Sequence, residues 1–299
     1  MAKEPVSLLL NPVAGRGRAG RRLPQIEESF AAAGIRYEVY LSSAIGDIEA
    51  AAREHSQNGR RTIVVAGGDG SIHEAVNGIV PGDGGARLGV IPTGTGNDFA
   101  KASGISLDWR KATQSLCARL AEREPARPID VGRMNERYFA NGAGVGFDAK
   151  VTGIARSYRA PIGDLVYLLA IFRGMVDGIA TPSLHISADD FEWDGPVTLA
   201  NVSNGPWVGG MFHIAPMARN NDGILELLIA DPVSRARICT LLPGLLRGRH
   251  LREPEITHAS VKRLTIEAES EVPSHLDGEV QAPAKRFEIE LLPAALHLL

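Results

Sequence analysis

Cysteine is nearly absent from this chain of 299 residues: Cys117 and Cys239 lie far apart and fit neither a C-x-x-C pair nor a His/Cys ligand spacing. That pattern excludes a disulfide framework and a zinc site, and it fits a reducing, cytoplasmic setting. Long apolar runs are missing too. The longest, Leu165 to Phe172, falls well short of the roughly 20 residues that span a bilayer, and Met1–Pro5 holds no apolar targeting segment, so neither export nor membrane insertion is expected. Charge of one sign is also lacking. With 32 Lys and Arg against 35 Asp and Glu, the net charge of -3 offers nucleic acid no bulk attraction, and any basic patch has to be local. Finally, no repeat of fixed period and no low-complexity tract is present, which removes solenoid and disordered-tail readings.

What is there has the length of two ordinary domains. Apolar runs alternate with amphipathic segments from the start: Val6–Leu10, Gly20–Ala33, Tyr37–Leu41, Asp47–His55, Thr62–Ala66, Ile72–Ile79 and Leu88–Ile91. This βαβα rhythm predicts a doubly wound α/β domain with a mostly parallel sheet, whose ligands bind at the carboxyl ends of the strands. A helical-looking Trp109–Arg127 follows, broken at Pro125 and Pro128. Short runs then punctuated by Gly, Asn, Asp or Pro (Ile129–Val131, Tyr138–Ala140, Ser183–Ala188, Val197–Ser203, Ile224–Ile229, Val261–Ala268 and Phe287–Leu291) predict a mostly antiparallel, β-sandwich-like domain. Helical insertions are expected near Val151–Val176 and Ser234–Leu246. The expected domains are 1–127, joined by the tail 292–299, and 128–291.

The chemistry concentrates where apolar runs break into glycine. Gly67-Gly68-Asp69-Gly70-Ser71 follows such a run, and its glycines let backbone N–H groups approach an anion beside a helix N-terminus. A carboxylate next to polyphosphate is repulsive unless a cation stands between them, so Asp69 suggests nucleotide with Mg²⁺. The structural alternative is a turn in which Ser71 and Glu74 form a capping box. Gly15-Arg16-Gly17-Arg18-Ala19-Gly20 matches G-x-G-x-x-G, with Glu38 at about the spacing of a ribose-binding acid, and competes as a dinucleotide site. In the third loop, Pro92 to Ala100, Thr95 offers a hydroxyl, while Asp98 either joins Asp69 around Mg²⁺ or caps the helix that Phe99 begins.

Asn11-Pro12 with its glycine loop, Gly67 to Ser71, and Gly94-Thr95-Gly96-Asn97-Asp98-Phe99-Ala100 together resemble the diacylglycerol kinase catalytic domain, especially the soluble bacterial lipid kinases. The likeness continues through Ile129-Asp130-Val131-Gly132, Gly209-Gly210 with Ile214-Ala215-Pro216, Asp222-Gly223-Ile224-Leu225 and Leu276-Asp277-Gly278-Glu279, nearly the whole chain. Gly-Gly-Asp-Gly alone is shared with NAD kinases and, more distantly, phosphofructokinases; the Gly-Thr-x-Asn-Asp-Phe-Ala loop discriminates. The resemblance implies ATP bound by Asn11, Ser42, Gly67, Gly68, Asp69, Gly70, Ser71 and Thr95, and transfer of its γ-phosphate to a lipid hydroxyl in a cleft between two domains. Ser71 and Ser42 stand where the family commonly has Thr, and both keep the hydroxyl.

The same resemblance implies Glu279 as general base, Asp130 in a magnesium network with Asp69 and Asp98, and a structural Mg²⁺ held by Asp222 with the carbonyls of Arg219 and Ile224. Read blind, Asp277-Gly278 and Asn220 to Gly223 are turns, and Asp130 is a buried acid at a strand end. The arginines and leucines of 234–252 give two expectations, transient peripheral contact with a membrane face or a core-packed helix with a solvated basic edge. The reading is a Mg²⁺-dependent, ATP-dependent lipid kinase acting on diacylglycerol or a related lipid. The alternatives are an NAD-kinase-like enzyme and a nucleotide-binding module without catalysis.

Overall fold

The computed structural model describes residues 5–82, 85–158, 163 and 165–299. Two compact units emerge: one runs to Asp130 and takes in the tail Pro293–Leu299, and the other is Val131–Leu292.

In the first unit, β1 (Val6–Leu10), β2 (Tyr37–Leu41), β3 (Thr62–Gly67) and β4 (Arg87–Pro92) pair in parallel in the order β2-β1-β3-β4, and residues 297–298 add a parallel segment beside β4. They alternate with α1 (Ala14–Ala32), α2 (Asp47–Gln57) and α3 (Asp69–Ile79), and α4 (Asp98–Ala102) and α5 (Trp109–Glu122) follow. β1 and β3 are buried along their whole length, as largely apolar strands are when helices cover both faces of a parallel sheet. Every second residue, Leu8, Leu10, Val64 and Ala66, clusters with Ile26 and Phe30 of α1 and Trp109 and Leu116 of α5. α2 and α3 pack closely at Gly78, where a Cβ would collide with the Glu49 carbonyl and Ala52. The chain leaves β1 for β2 on one side and returns to β3 on the other. The order therefore reverses between β1 and β3, and a crevice opens at their carboxyl ends.

The second unit contains the second half of β5 (Arg127–Met134) and most of β14 (Glu279–Leu298), which both run through its chain boundaries. Between them come β6 (Arg137–Phe139), β7 (Gly142–Gly146), β8 (Ser183–Ala188), β9 (Phe191–Pro196), β10 (Leu199–Ser203), β11 (Leu225–Ala230), β12 (Ile256–Val261) and β13 (Arg263–Leu276). The path β12-β11-β10-β7-β13-β14 is antiparallel. β13 serves two layers: Thr265–Ala268 pair with β8 and Ser274–Leu276 with β7, and its register against β14 breaks between Glu267 and Ser274. Such irregularities bend a strand, so one long strand turns the sandwich corner. Ile186, Ile229, Leu276 and Phe287 lie in the core between the layers. α6 (Phe147–Ser157), α7 (Leu165–Val176) and α8 (Arg235–Leu246) supply a second cluster through Val151, Ile171 and Leu242.

Several expectations change. β7, β9 and β12 were not anticipated, and the runs at 261–268 and 287–291 lie within longer strands or across a strand break. The helix expected over 151–176 runs through 159–162 and 164, which lie outside the described residues; α6 and α7 flank them. α3 starts at Asp69 rather than Ile72, with Gly68 as its cap residue.

Candidate active site

Three loops leave the carboxyl ends of β1, β3 and β4, and they touch backbone to backbone. A Cβ on Gly15 would collide with the Thr93 carbonyl, and one on Gly94 would press on the Gly68 Cα, so glycine is required by close approach. Arg18 fastens the first loop to the third, donating from Nε to the Gly15 carbonyl (2.9 Å) and from Nη2 to that of Gly94 (3.3 Å). Gly15, Arg16 and Gly17 all have left-handed φ values of 56°, 63° and 78°. The G-x-G-x-x-G segment is thus a tight turn docked on another loop, and Glu38, the acid of the dinucleotide reading, pairs with Arg60 at 2.6 Å.

The second and third loops interlock through Asp69. Its Oδ1 accepts the Phe99 N–H (3.1 Å), so Asp69, not Asp98, satisfies the start of α4. Asp98 instead takes Lys101 Nζ at 2.7 Å. The capping box is absent as well: α3 begins before Ser71, and Glu74 accepts the Ile48 N–H of α2 (3.1 Å). Asn11 Oδ1 accepts the Val13 N–H (3.1 Å) in an Asx turn, and the backbone N–H of buried Ser42 donates to the Leu10 carbonyl (3.0 Å), which sets Ser42 beside Asn11. Thr95 occupies the exposed tip of the third loop, whose neck Asn97 closes by bonding both backbone groups of Gly94. Asn11, Ser42, Gly67 to Ser71 and Thr95 therefore all belong to the loops at the carboxyl ends of β1 to β4.

Two other acids have structural bonds. Asp130, buried in β5, accepts the N–H of Ala294 (2.8 Å) and anchors the returning tail. Asp222 Oδ1 accepts the Ile224 N–H (3.2 Å) across Gly223, closing the turn that follows Arg219. Among the described residues no three His, Cys, Asp or Glu side chains gather as a metal centre.

In the second unit, Asp277 (φ 51°) and Gly278 (φ 86°) make a two-residue hairpin turn between β13 and β14, the mirror-image geometry that Asp-Gly favours. The Asp277 carboxylate accepts three backbone N–H groups, from Ala140 (2.9 Å), Asn141 (2.8 Å) and Gly142 (3.0 Å). Beyond the turn, the half-buried Glu279 carboxylate pairs with Arg156, which also donates to the Gly278 carbonyl (3.2 Å). Behind it, His275 is enclosed. Its Nδ1 accepts the Gly278 N–H (3.3 Å), and its Nε2 lies 3.1 Å from Asp148 Oδ1, at ion-pair distance though not aligned as a hydrogen bond. Burial disfavours charge on His275, whereas Asp148, then Asp277 and Glu279, favour it, and the balance raises its pKa. Sequence reasoning missed Arg156, Asp148 and His275; the one available signal was a lone histidine two residues before Asp-Gly.

Asp148 also lines an apolar cavity of about 150 Å³ walled by Val151 of α6, Tyr167 and Ile171 of α7, and Leu242 of α8. α7 is apolar on its outer side too: Leu165, Leu169, Phe172 and Val176, one stripe at helical spacing, are exposed. α8 turns Ile238 and Leu242 inward, and Arg237 is engaged by Glu253 and Glu255.

Residues 5–134 match the diacylglycerol kinase catalytic domain, and residues 142–299 match the YegS C-terminal NAD kinase beta sandwich-like domain. A diacylglycerol kinase of Bacillus subtilis (strain 168) is 34% identical over 284 residues, covering 91% of this chain and 88% of that protein. The chain belongs to the diacylglycerol kinase family of lipid kinases. Within that family, a Pseudomonas aeruginosa PAO1 protein named "Probable lipid kinase YegS-like" is 33% identical, covering 89% of this chain and 85% of its own. A crystal structure from Bacillus anthracis str. Sterne, provisionally named a diacylglycerol kinase, superposes with a TM-score of 0.80 at 28% identity over 100% of this chain and 98% of that one. Family membership makes the glycine loops and the Asp-Gly-Glu turn the places to look for kinase chemistry.

Proposed function

We propose that this family member transfers the γ-phosphate of ATP to the hydroxyl of diacylglycerol or a related lipid, with Mg²⁺. The observation that carries the reading is the interlock of three glycine loops at the reversal point of a parallel sheet, fastened by Asp69 to the Phe99 N–H. Asn11, Ser42, Ser71 and Thr95 supply polar groups along those loops, and Gly67, Gly68 and Gly70 put no side chain between the backbone and phosphate oxygens. Asp69 and Asp98 would hold the cation. Mg²⁺ is usually held by one or two carboxylates together with phosphates and water, so the donor set suits it without a cluster of three protein acids. When bound it neutralises charge on the transferring phosphoryl group.

Asp130 would join that network through bridging water, and Asp222 with the Arg219 and Ile224 carbonyls would hold a structural cation away from the reaction. Glu279 accepts the proton of the lipid hydroxyl. Asp277 cannot share that task, since its carboxylate is committed to three backbone N–H groups. The apolar cavity takes an acyl chain, and the α7 stripe or the arginines of 234–252 meet the bilayer from which the lipid comes.

Incubation with labelled ATP and a mixed lipid extract, beside NAD⁺ in a parallel tube, tests the reading. Label in the lipid fraction supports it. Label in NADP identifies an NAD-kinase-like enzyme, and ATP binding without transfer identifies a non-catalytic module.

A further inference from the structure

We infer that His275 is a positioning residue for the Glu279 turn, holding it through the Gly278 backbone; this rests on the proposal that Glu279 is the base. Four residues from different elements meet here. Gly144 of β7 stands opposite His275 in the strand register, and a Cβ at Gly144 would collide with the Asp148 carboxylate. Glycine thus makes room for Asp148, at the start of α6, to reach across β7 to the imidazole. Asn201 of β10 donates to the other carboxylate oxygen (3.3 Å), fixing the carboxylate from a third side.

The imidazole then joins two things the reaction needs. On one side is Asp148, part of the lining of the apolar cavity. On the other is the N–H of Gly278, the residue before Glu279. A backbone N–H aimed at Nδ1 demands a lone pair there, so the bond requires the neutral ring with its proton on Nε2, facing Asp148. Both facing atoms, Nε2 and Asp148 Oδ1, are buried and lack any aligned partner, so neither has a competing bond to draw it away. Arg156 holds the same turn from outside, at the Gly278 carbonyl and the Glu279 carboxylate. Gly278 is gripped at its N–H by His275 and at its carbonyl by Arg156, one bond on each of its two peptide groups. A base displaced by as little as about 1 Å can lose up to about 10²-fold in rate, which gives such a grip kinetic consequence.

Protonation breaks the inner grip, because an Nδ1–H would oppose the Gly278 N–H. Asp148 from α6, with Asp277 and Glu279 from the turn, draws that proton on, while Arg156 is held by Glu279. Turnover should therefore fall on the acid side as His275 charges.

Amide replacements separate the two bonds. Asn at 275 can place an oxygen where Nδ1 accepts from Gly278, whereas Gln reaches toward Asp148 in place of Nε2. For folded His275→Phe, kcat should fall about 10-fold or more with KM for ATP unchanged. His275→Asn should recover most of kcat with a flattened acid limb, and His275→Gln should not recover it. If the Phe variant does not fold, the Asn and Gln pair alone decides. Wild-type kcat in the Phe variant, or equal recovery by Gln and Asn, would overturn the inference. The double variant His275→Phe/Glu279→Gln should be no slower than Glu279→Gln alone, and additive losses would also count against a role through Glu279. Wild-type turnover in Glu279→Gln would instead remove the base assignment itself, which distinguishes the two failures.

Discussion

Asp69 and Asp277 each sit beside glycine at a chain reversal, yet their surroundings give them opposite work. Asp69 opens α3 between Gly68 and Gly70, where Gly94 of the third loop presses in on Gly68 and leaves backbone as the wall. Its bond to Phe99 reaches a different loop, so the carboxylate joins segments that a polyanion would otherwise push apart. Asp277 is enclosed by three N–H groups of Ala140 to Gly142 and fixes β13 to the start of β7. In our proposal the reactive carboxylate at that second turn is the neighbour, Glu279. The Asp-Gly dipeptide of the strand-to-helix loop ties two loops together, whereas that of the hairpin fixes two strands and presents the residue after it.

The largest effect should come from removing the Asp69 charge while keeping its shape. Asn at this position still accepts the Phe99 N–H, so the loops stay interlocked. Lipid phosphorylation should drop by about 10³-fold or more, because the lost interaction acts on charge that develops in transfer. Circular dichroism and melting should be unchanged. A folded Asp69→Asn enzyme with near wild-type turnover would end the functional half of the comparison.

Next comes Glu279→Gln, expected to cost roughly 10²-fold in kcat with little change in ATP affinity. This variant also weakens the pair with Arg156. Loss of ATP binding instead would move Glu279 into the nucleotide site. An unchanged rate would leave Asp277-Gly278-Glu279 as a turn and nothing more.

Asp277→Asn tests the other half. The left-handed backbone there tolerates Asn, so the substitution isolates the carboxylate. At least one N–H of the Ala140 to Gly142 strip loses its acceptor, and an unmet buried donor costs about 1–3 kcal/mol. The midpoint of thermal unfolding should drop, while residual turnover per folded molecule stays closer to wild type than in Glu279→Gln. Equal losses of rate in both variants would erase the distinction between the two residues.

These contrasts were legible in the sequence to different degrees. Val6–Leu10 and Tyr37–Leu41 coincide with β1 and β2 because short, mostly apolar or aromatic runs between helical patterns admit few other readings. The site loops after β1, β3 and β4 were visible for the same reason, since glycine directly after such a run marks a strand end. β7 was not. Its residues, Gly142-Ala143-Gly144-Val145-Gly146, have poor strand propensity, and they form a strand because the Asp277 carboxylate and the Asp148 carboxylate need that close backbone. The capping box at Ser71 failed for a related reason: Glu74 had a partner on another helix, Ile48, which local spacing cannot reveal. His275 and Asp148 are 127 residues apart, by subtraction of their numbers, and only the register of β13 on β7 brings them together.

The smallest effect on the chemical step, and the last way to sharpen the comparison, concerns what surrounds each turn. Polar backbone encloses Asp69, whereas the unit bearing Glu279 carries an apolar cavity and an outer apolar stripe on the same helix, α7. Leu169 and Phe172 are 46% and 43% exposed, so entering a lipid interface would bury only part of each, worth about 1 kcal/mol apiece at about 25 cal/mol per Å². The arginines at 247, 249 and 252 act differently, because attraction to anionic lipid is about 1 kcal/mol per residue near the surface and is screened within a Debye length. Co-sedimentation with vesicles of mixed anionic and neutral lipid separates the two. Leu169→Glu/Phe172→Glu should weaken binding by several-fold at both low and high salt and leave turnover on detergent-dispersed lipid nearly intact. Charge reversal at Arg247, Arg249 and Arg252 should weaken it at low salt alone. If the arginine variant accounts for the whole loss, the basic segment after α8 is the lipid-facing element and the α7 stripe has another occupant; if neither variant loses binding, the apolar surroundings of the second turn serve the substrate only after it has left the bilayer.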